Sequence, residues 1–211
     1  NPLFCLEIVQ AARDRGVLRL DSGRWSTVAG APAATVPPTI QRLVADRSGR
    51  LSPATVALLA TAAELGTACT YAAISAVHGT GAQLMALLDE ALGSGLLVEQ
   101  GSGYGFAHPL YRRAVIERTG APRRSATQLA IARALAGSGP DVAGPAELAA
   151  LAARHSDPAP VADHALAATS AGQAGAAPLG VAFGFAAGER LWRLFDREAA
   201  FDVLDRSLRA W

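Results

Sequence analysis

Residues 51–108, LSPATVALLATAAELGTACTYAAISAVHGTGAQLMALLDEALGSGLLVEQGSGYGFAH, decide how this chain folds. Ser52 followed by Pro53 reads as an N-cap and a proline at the first helical position, where a missing N–H costs nothing. Val56, Leu59, Ala60 and Ala63 then carry an apolar face as far as Leu65. A short helix is expected over Tyr71–Val77, and a Gly-Thr-Gly turn follows. A third helix from Ala82 to Leu92 places Leu84, Leu87, Leu88 and Ala91 on its buried side. Leu96–Gln100 and Tyr104–Ala107 are strand-like runs joined by Gly101-Ser102-Gly103. Three helices followed by a two-stranded wing make a winged-helix pattern.

Upstream, residues 1–50 read as a small helical, lid-like subdomain with a β-hairpin. Pro2 opens a helix over residues 2–15 with Leu3, Leu6, Val9 and Ala12 at helical spacing, and Gly16 ends it. The runs Val17–Leu20 and Arg24–Val28 flank Asp21-Ser22-Gly23, a composition that fits a tight hairpin. A loop over Ala29–Pro38 leads into a helix through Ile40, Leu43 and Val44 that ends near Gly49. Downstream, residues 109–211 read as helices over 109–119, 122–136, 145–155, 159–171, 178–194 and 197–210. Their alanine-rich faces suit close packing, and Ala199, Ala200, Leu204 and Leu208 resemble the second helix of a tetratricopeptide-like pair. The expected fold is therefore mainly α: a helical lid with a β-hairpin, a winged helix over 51–108, then a TPR-like helical array without a clean 34-residue period.

Composition narrows the function. The chain has 211 residues, 51% of them hydrophobic, with 19 basic and 18 acidic side chains and a net charge of +1. All the basic residues are arginine. Such a chain can bury a core, and no apolar run approaches the length of a membrane span. Cys5 and Cys69, each expected in a helix core with no close second cysteine, argue against a disulfide framework or a zinc knuckle and for a reducing, cytoplasmic compartment. The opening NPLFCLEIVQ has no basic flank or cleavage site of a secretory signal, and a chain starting at Asn1 is expected to be part of a longer protein.

A winged helix that reads DNA neutralises phosphates with cations on its third helix and wing. Residues 51–108 contain neither Arg nor Lys, and their charges are Glu64, Asp89, Glu90 and Glu99. Two of these acids lie on the helix that would enter the major groove, so this unit should repel DNA and contact protein instead. Cations gather just afterwards at Arg112, Arg113, Arg118, Arg123, Arg124 and Arg133. They offer phosphate or partner contacts, with Arg112, Arg113, Arg123 and Arg124 as candidates. The plainer alternative is that they are solvated or pair with Asp196, Glu198, Asp202 and Asp205.

No catalytic constellation is visible. A chain without lysine has no Gly-x-x-x-x-Gly-Lys-Ser/Thr phosphate loop, and no Gly-x-Ser-x-Gly turn occurs. His78, His108, His155 and His164 are dispersed, and His155 and His164 read as helix-surface residues, so neither an enzyme nor a metal site is expected. Two spots remain. Pro2 begins a helix whose free N–H groups favour anions, and His108 precedes Pro109 at the start of the next helix. Capping or packing is the plainer role for His108.

Asn1-Pro2-Leu3-Phe4, Arg24-Trp25 in the hairpin, Val36-Pro37-Pro38-Thr39-Ile40, Leu51-Ser52-Pro53 and Tyr104-Gly105-Phe106-Ala107-His108-Pro109-Leu110 together resemble the large ATP-binding regulators of the LuxR type. These belong to the signal-transduction ATPases with numerous domains, and the resemblance covers residues 1–135. It implies that Pro2 belongs to the lid motif packing on bound nucleotide, and that His108 is the histidine that approaches the β-phosphate of ADP. Pro109 stands where relatives often carry aspartate, which departs from the helix-capping half of that motif. ATP or ADP would belong to the parent protein, with no cofactor in this segment alone. Its partners would be an upstream ATPase domain, a second copy of the protein, and an effector protein or small-molecule inducer. The alternative is a stand-alone DNA-binding winged-helix regulator with a helical ligand or dimerisation domain.

Overall fold

The computed structural model describes residues 9, 12–13, 17–21, 23–27, 36–66, 69–137 and 144–211. Pro2, Cys5 and most of the helix expected over residues 2–15 lie outside them. Within that helix's expected apolar face, Val9 is exposed and Ala12 half-buried.

The described residues form a mainly helical fold with two small antiparallel hairpins. β1 (Leu18–Asp21) pairs with β2 (Arg24–Thr27) in a register that sets Asp21 opposite Arg24. The expected three-residue turn is thus shorter by one, because Asp21 is already in the ladder. α1 (Pro38–Ser48), α2 (Pro53–Leu65), α3 (Tyr71–His78) and α4 (Ala82–Gly93) follow. β3 (Leu97–Gln100) and β4 (Gly103–Phe106) form the second hairpin, with Gln100 opposite Gly103. Gly103 was expected in the turn. It enters the strand because it also bridges Thr70, and an added Cβ there would come within 2.7 Å of the Cys69 carbonyl oxygen.

α5 (Pro109–Arg118), α6 (Ala121–Ala136), α7 (Pro145–Arg154), α8 (Pro158–Ser170), α9 (Ala177–Arg193) and α10 (Arg197–Ala210) complete the chain. Proline occupies the first or second position of seven of these ten described helices, where its fixed φ favours initiation and no hydrogen bond is lost. Side-chain caps add to this: Ser52 Oγ accepts from the Thr55 amide, Thr70 Oγ1 from the Ala73 amide and Asp196 Oδ1 from the Ala199 amide.

Two cores result. In the first, α2 lies at the centre and buries Thr55, Leu58, Leu59, Ala60, Thr61, Ala62, Ala63 and Leu65. The expectation of a single apolar face is corrected here. α2 is enclosed on nearly all sides by α3, α4, α5, α6 and β4, so Leu58 and Ala62 are as deeply buried as Leu59. Val36, Ile40, Val44, Ile74, Leu84 and Leu88 pack around it. Cys69 is buried as expected, but it precedes α3 and lies in no helix, and burial pushes its thiol pKa up to about 11.

The second core joins α6, α7, α8, α9 and α10 through residues including Leu129, Val161, Leu166, Leu179, Phe183 and Val203. α6 serves both cores, turning Ile131 into the first and Leu129 and Ala132 into the second. His155 and His164 are half-buried, a correction to their surface reading. The His155 ring packs edge-on against Phe183 at 5.4 Å, while its Nε2 lies 3.0 Å from the Leu135 carbonyl. Among the described residues no helix is long and apolar enough to cross a membrane.

Candidate functional site

His108 sits where the second hairpin hands the chain to α5. Its extended backbone ends β4's path, and its Nδ1 accepts a hydrogen bond from the Leu110 amide at 3.1 Å. The imidazole thus caps α5, the plainer of the roles expected for it. The ring lies 5.9 Å from that of Tyr111, over which Arg47 of α1 places its guanidinium at 5.8 Å. Arg47 also donates to the Gly95 carbonyl at 3.1 Å. α1, the start of α5 and the turn before β3 therefore meet around a ring of mixed aromatic and cationic groups. Arg47 gave no signal in the sequence, since an arginine in the last turn of a helix is ordinary.

Three of the four arginines expected to contact phosphate or a partner, Arg112, Arg113 and Arg124, hold acceptors on the protein itself. Arg112 Nε donates to the Ala63 carbonyl at 2.7 Å, satisfying the C-terminal turn of α2. Arg124 Nε lies 2.9 Å from Glu64 Oε1, and Gln128 donates to the other oxygen of Glu64. Arg113 pairs with Glu117 one turn on, and Glu117 also accepts from Gln41 of α1. The described acids near the C-terminus pair elsewhere: Asp202 with Arg206 and Asp205 with Arg209. For Arg112, Arg113 and Arg124 the alternative of pairing with that acidic segment is thereby corrected. Arg112 and Arg124 converge on the end of α2 and fasten α5 and α6 to it. Arg123 is left in a cleft beside Arg118.

The acidic face is equally specific. Glu90 accepts from the Ser52 amide at 2.7 Å, the Ser52 hydroxyl at 2.8 Å and the Thr55 hydroxyl. The Thr55 and Ser52 hydrogen bonds hold its pKa below the usual carboxylate value and tie α4 to the start of α2. What α4 leaves exposed is Ala82, Gln83, Met85, Ala86, Asp89 and Gly93, with no cation.

A third feature escaped sequence reading. An apolar groove of about 860 Å³ runs between α7, α9 and the end of α10, with Ala149, Ala153 and Ala182 along it and Phe185, Trp192 and Trp211 at its sides. Phe201, Leu208 and Trp211 continue this exposed apolar face along α10. Their spacing is that of an ordinary amphipathic helix, so sequence alone counts them as core. Among the described residues no group of three or more His, Cys, Asp or Glu side chains is placed to hold a metal ion. No family model, curated protein or solved structure matches the chain.

Proposed function

We propose that this chain is a regulatory and protein-interaction segment of a nucleotide-dependent transcriptional regulator of the LuxR-type, multidomain ATPase class. In this reading α2, α3, α4 and the β3–β4 wing act as a winged helix that contacts protein, and α5–α10 act as a TPR-like array. The observation that carries it is the disposition of charge. The exposed face of α4 is without cations, and Arg112 and Arg124 are committed to the end of α2, so they couple the winged unit to the array instead of meeting phosphates. Large exposed side chains on α9 and α10 support an interaction role, because apolar patches rimmed by polar residues mark contact surfaces.

The mechanism follows as a population shift. Nucleotide held upstream against the lid and His108 would favour a closed arrangement, and its release would reposition the array to engage an effector or a second copy. DNA binding would belong to another domain of the parent protein.

Two measurements test this. Fluorescence anisotropy with a random-sequence duplex at low salt should show no binding by the 211-residue chain, and binding that weakens steeply with added salt would overturn the reading. In the full-length regulator, His108→Ala should release ADP faster. His108→Asp, which restores the cap on α5, should recover stability without recovering nucleotide retention. Unchanged retention in both variants would leave His108 as a cap alone.

A further inference from the structure

α10 is apolar on two sides. Its buried residues are Ala200, Val203 and Ser207, and Ser207 lies against Gly184 of α9. Phe201, Leu204, Leu208 and Trp211 succeed one another at helical spacing and form a second stripe beside the first. Phe201, Leu208 and Trp211 are exposed, while Leu204 and Trp211 also line the groove of about 860 Å³ between α7, α9 and α10. The stripe is therefore the rim of that groove. Small residues make up the groove opposite it: Ala149 and Ala153 of α7, both exposed, and Ala182 and Ala186 of α9, both half-buried. One surface thus carries a row of large side chains and, next to it, a hollow built from alanines.

A surface that holds both knob and hollow can be its own complement, which is the requirement of an interface with twofold symmetry. Area points the same way. Phe185, Trp192, Phe201, Leu208 and Trp211 are between 41% and 87% exposed. At about 150–250 Å² for each whole aromatic side chain, they present roughly 700 Å² of apolar surface before the alanines are added. This exceeds the largest patch of a typical monomer, about 300–600 Å², and comes close to the roughly 800 Å² that each partner contributes to a stable complex. Charge raises no obstacle. Glu189, Asp202 and Asp205 along its edge pair with Arg193, Arg206 and Arg209 of the same chain, and a net charge of +1 gives two copies little to repel. We propose that this face is the interface of a homodimer, in which the Phe201–Leu208–Trp211 stripe of each copy enters the alanine-lined groove of the other. A second copy is thereby the partner that the interaction role of α9 and α10 calls for, and its assignment rests on that reading.

Sedimentation velocity of the 211-residue chain from low to high micromolar concentration tests it, and monomer should give way to dimer. Phe201→Glu with Leu208→Glu on the stripe, and separately Ala149→Arg in the groove, should each weaken association about tenfold or more. These three positions are exposed in the single chain, so circular dichroism should match the parent. Met85→Glu, on the exposed face of α4, should leave association unchanged. In a Trp25→Phe background, acrylamide quenching of Trp192 and Trp211 should fall as the dimer forms. A chain that stays monomeric throughout overturns the proposal and gives the face to a different molecule. A dimer that the α10 and α7 variants leave intact, or that Met85→Glu dissociates, overturns it as well. None of these results alters the DNA-binding or ADP-retention tests of the regulator reading, so the two stand or fall separately.

Discussion

Arg124 and Glu64 are 60 residues apart in sequence, yet their side chains meet at 2.9 Å, with the Glu64 side chain only 9% exposed and that of Arg124 40% exposed. The pair joins the end of α2 to the first turns of α6, the helix that serves both cores. Its worth lies between that of a solvated ion pair and a buried one. Arg124→Ala should therefore destabilise the protein by about 1–2 kcal/mol, because Glu64 keeps only the Gln128 amide as a partner. Urea unfolding measures the shift, and a midpoint indistinguishable from the parent's would show that water replaces the guanidinium at no cost.

α9 brings its neighbours close through glycines at 180, 184 and 188. A Cβ at Gly184 would stand 1.9 Å from Ser207 Oγ, a buried hydroxyl that donates to the Val203 carbonyl at 2.6 Å. Gly184→Ala gains up to about 1 kcal/mol of helix propensity but forces Ser207 or α10 to shift, for a net loss of about 1–2 kcal/mol. At Gly188 the obstacle is the Leu204 side chain, half-exposed beside the open groove and free to swing into it. Gly188→Ala should cost less than Gly184→Ala, and thermal melts of the two variants in the opposite order would refute this account of the α9–α10 contact.

Acid should weaken the first core through His78. Its Nε2 lies 2.9 Å from Thr61 Oγ1, and burial holds its pKa below the ordinary 6.5. The unfolded chain therefore takes up this proton more readily than the folded one. The stabilisation is complete above pH 6.5, is lost as pH falls from there towards the folded value, and levels off once both forms are protonated. Desolvation moves His164 the same way, with Glu64 and Asp163 opposing it. Melting temperatures between pH 8 and pH 5 should fall on the acid side, and His78→Gln should reduce the fall. An identical pH profile in that variant would show that His78 is not responsible.

Two phenylalanines of the helical array should respond very differently to truncation. Phe183 of α9 is fully buried, with the His155 ring packed edge-on against it, and Phe183→Ala should cost about 3–5 kcal/mol. Phe201 is 74% exposed on α10, and Phe201→Ser should change stability by no more than about 0.5 kcal/mol. Comparable losses at both positions, read from chemical denaturation at low protein concentration, would mean that Phe201 is covered in solution.

Much of this architecture was legible in advance because its signals are local. Pro38, Pro53, Pro109, Pro145 and Pro158 mark helix starts whatever packs against those helices later, and Ser52 announces its cap through chemistry confined to one turn. The second hairpin was read one residue out at Gly103 because its register depends on Thr70, more than 30 residues away. α2 read as amphipathic because periodicity reports one helix face at a time, not how many neighbours arrive from elsewhere. His108 was identified as a helix-start residue, but that its own ring nitrogen does the capping depends on a side-chain rotamer.

Sequence by itself determined where helices begin, that two glycine-linked runs pair as a hairpin, and that residues 51–108 carry no cation. These follow from backbone sterics, short-range hydrogen bonding and composition, none of which needs a distant partner. Tertiary structure alone decided which arginines are occupied. Arg112 and Arg124 found Ala63 and Glu64, while Arg118 and Arg123, equally basic and equally close in sequence, were left facing a cleft. A guanidinium's role is fixed by the acceptor within its reach, and that acceptor is supplied by whichever helix the folded chain lays beside it.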